Sequence, residues 1–263
     1  MSDEPRNKDD EDTEEQLAEG TLLSHLVELR SRLFKMVGAV FIVFIALLPF
    51  AKHIFNYVAA PLVSVVPNGE LLALSPVSPL TATIALTFYI AIFIAMPVIL
   101  YQLWAFVAPG LYMKEKRFAF PMLATSIFLF YVGMAFAYYV LFPLIFAFVS
   151  TFTPESVNYQ PDMTQYVSFV MMVVLVFGMA FETPIATVLL VASGLTTVEK
   201  LGKARPYVFL GAFVVGMLLT PPDVISQTLL AVPVYLLYEL GILMSRMVQR
   251  KPEEAEAVSD SNA

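Results

Sequence analysis

The sequence predicts an all-α integral membrane protein that crosses the bilayer six times. Of its 263 residues, 59% are hydrophobic and only 14% are charged, whereas about a quarter of the residues in a soluble domain are charged. The apolar residues fall in six long blocks rather than at the short periods of soluble helices and strands. Basic residues cluster beside alternate ends of these blocks, as they do in the loops of multispanning proteins.

The six apolar blocks give the predicted spans. We place them at Leu33–Phe50, Ile84–Phe106, Phe118–Phe148, Tyr166–Ala192, Tyr207–Thr220 and Val224–Leu243. The fifth apolar run reaches only about 21 Å at roughly 1.5 Å per residue, against a hydrocarbon core of about 30 Å. We therefore expect this span to thin the bilayer locally or to be buried against partners. The segment after span one is rich in proline and predicts short helices at the membrane surface.

The positions of the basic residues predict the orientation. Basic residues precede span one, separate spans two and three, separate spans four and five, and follow span six. The segments on the other side carry only Lys52. By the positive-inside rule, both termini are expected in the cytoplasm.

The net charge of -7 comes from the two ends of the chain. Nine acidic residues lie between Met1 and Glu19, and four more lie between Glu253 and Asp260. Both ends lack the apolar content needed to fold. We therefore expect disordered tails at residues 1–20 and 247–263, around a membrane domain at residues 21–246.

The composition argues against most catalytic chemistry. Cysteine is absent, and the two histidines, His25 and His53, lie on opposite sides of span one. No metal site or cofactor is expected, because neither a ligand cluster nor a glycine-rich nucleotide loop is present. An intramembrane enzyme would also need a nucleophile with a base. We expect no enzyme and no nucleic-acid partner.

Prolines recur in or beside the spans, at Pro97, Pro121, Pro143, Pro184 and Pro233. A proline removes one backbone donor and bends a helix, which a bilayer tolerates when neighbouring helices satisfy the freed carbonyl. These bends either do no more than shape the helical bundle, or they give curved helices that enclose a concave surface open to lipid.

Two motifs near the predicted cytoplasmic face carry candidate binding groups. In the run Ser24–Arg32, the side chains of His25, Glu28 and Arg32 share one helical face. This face is either a solvated entry helix with an internal ion pair or a binding surface. In the run Trp104–Arg117, the single carboxylate of Glu115 lies among three cations. It belongs either to a stop-transfer cluster or to a site that holds a further guanidinium.

Two carboxylates deeper in the sequence are candidates of another kind. Glu182 lies within span four, where an acidic residue is costly and marks a functional site by default. An ion-coupled small-molecule transporter would be expected to carry a relay of several ionisable groups within the membrane. Glu182 is the only deep one, so the sequence favours this alternative less. Asp223 lies in the turn before span six and either caps that helix or has a direct role.

The sequence resembles the TatC family, the multispanning component of the twin-arginine protein translocase. The run Ser24–Arg32, with the letters S-H-L-V-E-L-R-S-R, resembles the family's amino-terminal signature. The resemblance continues through Glu115 with its basic neighbours and covers about residues 21 to 246. Its further motifs are Pro97–Phe106, Phe130–Phe136, Arg205–Tyr207 and Gly211–Gln227.

The resemblance implies a fold and a function. The fold is a concave, glove-like bundle of six helices in the bacterial inner membrane. The function is export of folded cargo that bears a twin-arginine signal peptide, driven by the proton-motive force. Glu28 and Glu115 match the family's signal-peptide recognition positions, and Arg30, Phe106 and Arg117 match the same surface.

The resemblance also implies partners. Glu182 matches a buried polar position where the single-span proteins TatA and TatB dock, and Gln227 matches a second contact with a partner helix. Pro61 and Asp223 match outer-face positions associated with assembly. Self-association in a receptor complex and contact with membrane lipid are expected.

Overall fold

The structure, a computed structural model, describes the backbone of residues 8–64, 71–111, 119–152, 154, 160–219 and 224–260. Within these ranges, side chains are described at residues 26–64, 71–106, 120–151, 154, 160–219 and 224–247. The described chain is almost entirely helical, with one isolated bridge between Leu72 and Asp162.

The described residues form nine α-helices. They are α1 (Lys8–Leu47), α2 (Ala51–Val63), α3 (Ser78–Leu111), α4 (Ala119–Phe136), α5 (Phe142–Phe152), α6 (Met163–Ala180), α7 (Thr183–Ala192), α8 (Val198–Leu219) and α9 (Val224–Asp260). A 3₁₀ turn joins α1 to α2, and a π-helical segment at Ala137–Leu141 joins α4 to α5.

Six helical runs are long and apolar enough to cross a membrane, which confirms the predicted number of spans. They are Leu26–Val63, Ser78–Phe106, Phe120–Thr151, Met163–Ala192, Val198–Leu219 and Val224–Met247. The first run has 38 residues and is about 57 Å long at 1.5 Å per residue. It is nearly twice the thickness of the hydrocarbon core, so part of it extends beyond that core. Helix α2 lies within the segment for which the sequence predicts short helices, and their location at the membrane surface stays a prediction.

Helix α8 is longer than the predicted fifth span. It has 22 residues and spans about 33 Å, because it begins nine residues before the predicted apolar run. The added turns carry charged side chains, including Arg205, which is paired with Glu239 of α9. The apolar run itself keeps its predicted length, so the local thinning of the bilayer stays a prediction.

The main core lies between α3, α4, α5 and α6. Four phenylalanines, Phe93, Phe130, Phe142 and Phe177, are at most 1% exposed. Helices α4 and α6 approach closely because Gly133 lies against the Phe177 carbonyl. A tight approach at a small residue is how helices commonly pack in membranes.

Two further groups of helices surround this core. Helix α1 lies along α3, and none of its most apolar window is buried inside the protein, so this surface faces lipid. Helices α7, α8 and α9 pack together, with Gly241 against Thr187 and the Tyr238 hydroxyl donating to the Leu201 carbonyl at 2.7 Å. The predicted disorder of residues 1–20 and 247–263 stays a prediction.

Gly133→Ala is expected to destabilise the protein. A Cβ atom at residue 133 would lie 2.6 Å from the backbone oxygen of Phe177, so α4 and α6 would have to separate. Overpacking of this kind costs about 1–3 kcal/mol. The measurement is the midpoint of thermal unfolding of the purified protein in detergent.

The matched control is Gly211→Ala in α8, where a Cβ atom meets no other atom within 4 Å. This variant should unfold at or above the wild-type temperature, because alanine favours a helix by up to about 1 kcal/mol over glycine. Equal midpoints for the two variants would contradict the close approach of α4 and α6.

Candidate functional site

The side chain of Arg32 fixes Glu28 at the start of the first span. Arg32 Nε donates to Glu28 Oε1 at 2.9 Å, and Arg32 Nη2 contacts the same oxygen. The two residues are one helical turn apart, as the predicted internal pair requires. Glu28 is therefore held in one orientation rather than left to sample many rotamers.

The same guanidinium also ties α1 to the far end of α3. Arg32 Nη1 donates to Gln102 Oε1 at 3.3 Å, and Nη2 donates to the Ala105 carbonyl at 3.0 Å. Gln102 is buried and the Arg32 side chain is only 18% exposed. The start of span one and the end of span two consequently form one surface.

One oxygen of the Glu28 carboxylate remains open to a ligand. Arg32 uses only Oε1, and no described residue donates to Oε2. The Glu28 side chain is 42% exposed. A carboxylate with one anchored oxygen and one open oxygen is suited to accept a further charged donor.

The other residues predicted for this surface do not all lie beside Glu28 in the structure. Arg30 lies about 200° around the helix from Glu28, and its guanidinium carbon is 5.6 Å from the Phe34 ring centroid. The structure does not bring it to the carboxylate. Phe106 is half-buried and directly follows Ala105, beside the Arg32 contact. Glu115 and Arg117 lie outside the described residues.

Glu182 lies between α6 and α7 and ends a chain of side chains from three spans. Trp104 Nε1 of α3 donates to Ser126 Oγ of α4 at 3.3 Å. Ser126 Oγ in turn donates to Glu182 Oε2 at 2.6 Å. The second carboxylate oxygen, Oε1, is buried and has no hydrogen-bond partner among the described residues. A buried acceptor without a donor is unfavourable by about 1–3 kcal/mol.

The remaining predicted positions lie on other helices. Gln227 of α9 donates from Nε2 to the Phe213 carbonyl of α8 at 3.3 Å, beside the close contact at Gly216. Pro61 lies inside α2 and is half-buried, and its carbonyl accepts from Ser64 Oγ. Asp223 lies outside the described residues. Among the described residues, no hydrogen bond joins Glu182, Gln227 and Pro61 to one another, and they lie on different parts of the bundle.

A second carboxylate–arginine pair, which the sequence analysis did not predict, joins α8 to α9. Arg205 Nε and Nη2 donate to the two oxygens of Glu239 at 2.7 Å and 2.8 Å, and the Tyr235 hydroxyl donates to Oε1 at 3.0 Å. Tyr235 lies one turn before Glu239, a spacing that could have been noticed. The partner Arg205 is 34 residues away, and nothing in the local sequence indicates that contact.

A family model described as Sec-independent protein translocase protein (TatC) matches residues 24–233, about four fifths of the chain. The chain belongs to the TatC family. Its Glu28, Arg32, Ser126 and Glu182 lie within the matched region.

Curated relatives and solved structures agree with this assignment. The Sec-independent protein translocase proteins TatC of Azotobacter chroococcum mcd 1 and Escherichia coli (strain K12) are each 50% identical, over 235 and 236 residues. Each match covers 89% of this chain and 92% of the relative. A crystal structure of the twin arginine translocase receptor TatC superposes with a TM-score of 0.78 at 40% identity, covering 86% of this chain and 99% of that one.

The TatC family is a transport family, and this chain is accordingly a multi-pass membrane component of twin-arginine protein translocation. The six-helix fold and the family assignment support each other, because the crystal structure and this chain superpose over nearly the whole membrane domain. Among the described residues, no three histidine or acidic side chains cluster in a way that could hold a metal ion.

Ser126→Ala is expected to destabilise the protein through Glu182. The substitution removes the one hydrogen bond to this carboxylate from the described residues, so both oxygens would be unpartnered. The expected loss is about 1–3 kcal/mol, measured by unfolding in detergent. In a Glu182→Leu background the same substitution should cost less, because only the hydrogen bond from Trp104 to Ser126 is then lost.

The control is Ser150→Ala, since the Ser150 hydroxyl donates only within its own helix, to the Ala147 carbonyl, and lies at the exposed end of α5. A Ser126→Ala effect no larger than that of Ser150→Ala would contradict the hydrogen bond to Glu182.

Proposed function

We propose that this chain is the receptor that binds the twin-arginine signal peptide of folded cargo. The observation that carries the proposal is the geometry of Glu28. Its carboxylate is anchored through Oε1 by Arg32, is half-exposed, and leaves Oε2 open among the described residues. Glu115, which matches the family's second recognition position, supplies the other carboxylate.

Carboxylates at these two positions suit an arginine pair. A guanidinium is planar, always charged and offers donors in a fixed fork, whereas the lysine ammonium is a compact point charge. Arg32 occupies one side of Glu28, so an incoming guanidinium approaches from the other side. Two such carboxylates would account for a requirement for two consecutive arginines in the cargo.

We further propose that the chain lies in the bacterial cytoplasmic membrane with both termini inside. Arg32 joins the start of span one to the end of span two, so these two span ends lie on one face. In the sequence, basic residues precede the first span and follow the second. The positive-inside rule assigns such a face to the cytoplasm. The signal-peptide site then faces the compartment in which cargo folds.

Glu182 and Gln227 are proposed to dock the single-span partners TatA and TatB. The buried oxygen of Glu182 lacks a donor among the described residues, and a polar side chain of a partner helix would supply one. Pro61 and Asp223 would serve assembly into a receptor complex with several copies. Transport then uses the proton-motive force, and the chain itself is not an enzyme.

Glu28→Gln is expected to weaken binding of an Arg-Arg signal peptide by about 10- to 100-fold. A hydrogen bond to a charged group contributes about 1.5–3 kcal/mol, and the amide removes the charge while keeping the shape. The measurement is titration of a fluorescent signal peptide onto the full-length protein in nanodiscs. A Lys-Lys peptide should bind weakly to both forms.

The control is Glu199→Gln, which removes an exposed carboxylate at the start of α8 and should leave binding unchanged. Export of Arg-Arg and Lys-Lys cargo in a strain lacking its own TatC tests the function as a whole. Undiminished binding in a Glu28→Gln/Glu115→Gln double variant would overturn the recognition proposal.

Glu182→Leu is expected to reduce site-specific crosslinking to TatA or TatB, because leucine cannot accept a hydrogen bond from a partner helix. Glu182→Gln should retain more of the crosslink, since the amide keeps an acceptor. Gln227→Leu should reduce the crosslink to a partner placed beside α9. Gln165→Leu, an exposed position at the start of α6, serves as the control. Full crosslinking and export in Glu182→Leu would show that the docking proposal is wrong.

A further inference from the structure

An apolar cavity of about 550 Å³ lies between α2, α3, α6 and the π-helical segment with the end of α4. Its size falls within the range of sites that hold one small ligand. Its floor is formed by side chains that are at most 5% exposed, among them Phe93, Val170 and Val174. Its mouth is marked by the exposed side chains of Tyr57 and Tyr139.

The cavity runs from the α2 end of the bundle to the middle of the spans. His53 and Tyr57 lie in the first turns of α2. Phe93 lies near the midpoint of the helical run Ser78–Phe106, and Val174 lies close to the midpoint of the run Met163–Ala192. This depth corresponds to about 15 Å, half of the hydrocarbon core and the reach of one leaflet.

The tyrosine hydroxyl groups of the cavity walls are already hydrogen-bonded within the protein, so the walls present an apolar surface. The Tyr138 hydroxyl donates to the Tyr57 carbonyl, and the Tyr131 hydroxyl donates to the Phe93 carbonyl at 3.1 Å. The hydroxyls of Tyr57 and Tyr139 pair with each other at 2.7 Å. Because these hydroxyls are already bonded, the interior of the cavity has little to offer water.

The π-helical segment shapes this wall. Tyr138 and Tyr139 are consecutive, yet both line the cavity. A π turn widens the helix by one residue and is often found at functional sites. The wider turn spans Ala137–Leu141 and directs both rings to one side.

One basic side chain lines the cavity, and a second precedes it in sequence. His53 is a lining residue, and Lys52, the residue before it in α2, is exposed. The sequence segments on this side of the membrane, 51–83, 151–165 and 220–223, contain no other lysine, arginine or histidine. The basic residues of this face therefore lie in the turn of α2 that borders the cavity.

We propose that this cavity binds one acyl chain of an anionic phospholipid from the leaflet on the α2 side, with the lipid phosphate beside Lys52 and His53. The chain fills an apolar channel as deep as one leaflet, and the phosphate meets the two basic groups of that surface. Binding requires no particular orientation of the protein and does not depend on signal-peptide recognition.

A lipid chain fits this cavity better than a partner helix does. Helices associate in membranes through small residues and through polar groups that hydrogen-bond across the interface. The cavity wall is mainly aromatic and branched, with Ala135 as its one small residue among the described lining residues. A flexible acyl chain needs neither small residues nor free polar groups.

The test uses the full-length protein in phosphatidylcholine nanodiscs that contain a trace of phosphatidylglycerol with a diazirine in its acyl chain. After irradiation, mass spectrometry locates the adducts. We expect adducts at Val170, Met171 and Val174 on the cavity floor. In Ala135→Trp, whose indole would fill the cavity, this labelling should fall to the level found at the lipid-facing residue Leu236.

The matched control is Leu144→Trp, which adds an indole to an exposed position in α5 outside the cavity. It should label the floor like the wild type. Where Ala135→Trp does not give a monodisperse protein, competition in the wild type replaces it. Unlabelled phosphatidylglycerol should then displace the probe better than phosphatidylcholine.

Lys52→Gln/His53→Gln tests the headgroup contact. Loss of the Lys52 charge alone should reduce the advantage of phosphatidylglycerol over phosphatidylcholine about fivefold, the equivalent of about 1 kcal/mol, so the double variant should reduce it at least that much. Lys35→Gln, which removes a lysine at the other end of span one, should leave that advantage unchanged.

Three results would overturn the proposal. The first is equal floor labelling in Ala135→Trp and Leu144→Trp, or equal competition by the two lipids. The second is a phosphatidylglycerol advantage that Lys52→Gln/His53→Gln does not alter. The third is a floor adduct with the mass of a polypeptide, either a second copy or a partner, when a photoreactive amino acid replaces Val174 in cell membranes.

Discussion

Every polar group that this chain carries into the hydrocarbon core needs a partner within the protein or on a neighbouring helix, because lipid tails offer no hydrogen bond. This constraint accounts for the helical backbone and for the way in which side chains are used. The hydroxyls of Thr87 and Ser245 donate to carbonyls of their own helices. Tyrosines reach further and donate to other helices, as Tyr166 does to the Val58 carbonyl at 2.7 Å. Each of these bonds removes a desolvation penalty, and those between helices also fix one helix against another.

The turn of α3 at residues 102–105 shows how one constraint serves two sites. Gln102 and the Ala105 carbonyl accept from Arg32, which holds Glu28. Trp104 lies between them in sequence and donates to Ser126, the donor to Glu182. The proposed signal-peptide and partner-docking positions therefore both rest on the same helical turn. A substitution that moves this turn should disturb both sites, whereas a substitution at Glu28 alone should disturb one.

The sequence predicts the spans and the local pair well, because both depend on nearby residues. Six apolar blocks are visible without any structure, and the pairing of Glu28 with Arg32 follows from their one-turn spacing. Contacts between distant segments are different. Helix α8 begins nine residues before its apolar run, and its Arg205 pairs with a carboxylate 34 residues later, so neither feature is visible in the apolar pattern. The cavity depends on the packing of four elements and on a π turn, neither of which has a local signature here.

Three carboxylates of the described spans, those of Glu239, Glu28 and Glu182, differ in how many of their oxygens accept a hydrogen bond. Glu239 has Arg205 on both oxygens and Tyr235 on one, so its charge is neutralised within the chain and its role is to join α8 to α9. Glu28 has Arg32 on one oxygen and is half-exposed, so the other oxygen is available to a ligand from water. Glu182 has Ser126 on one oxygen, and the other is buried. A buried oxygen within a span is suited to a donor from a neighbouring helix rather than from solution, which agrees with the proposed role of Glu182 in docking a partner helix and of Glu28 in binding a peptide at the surface.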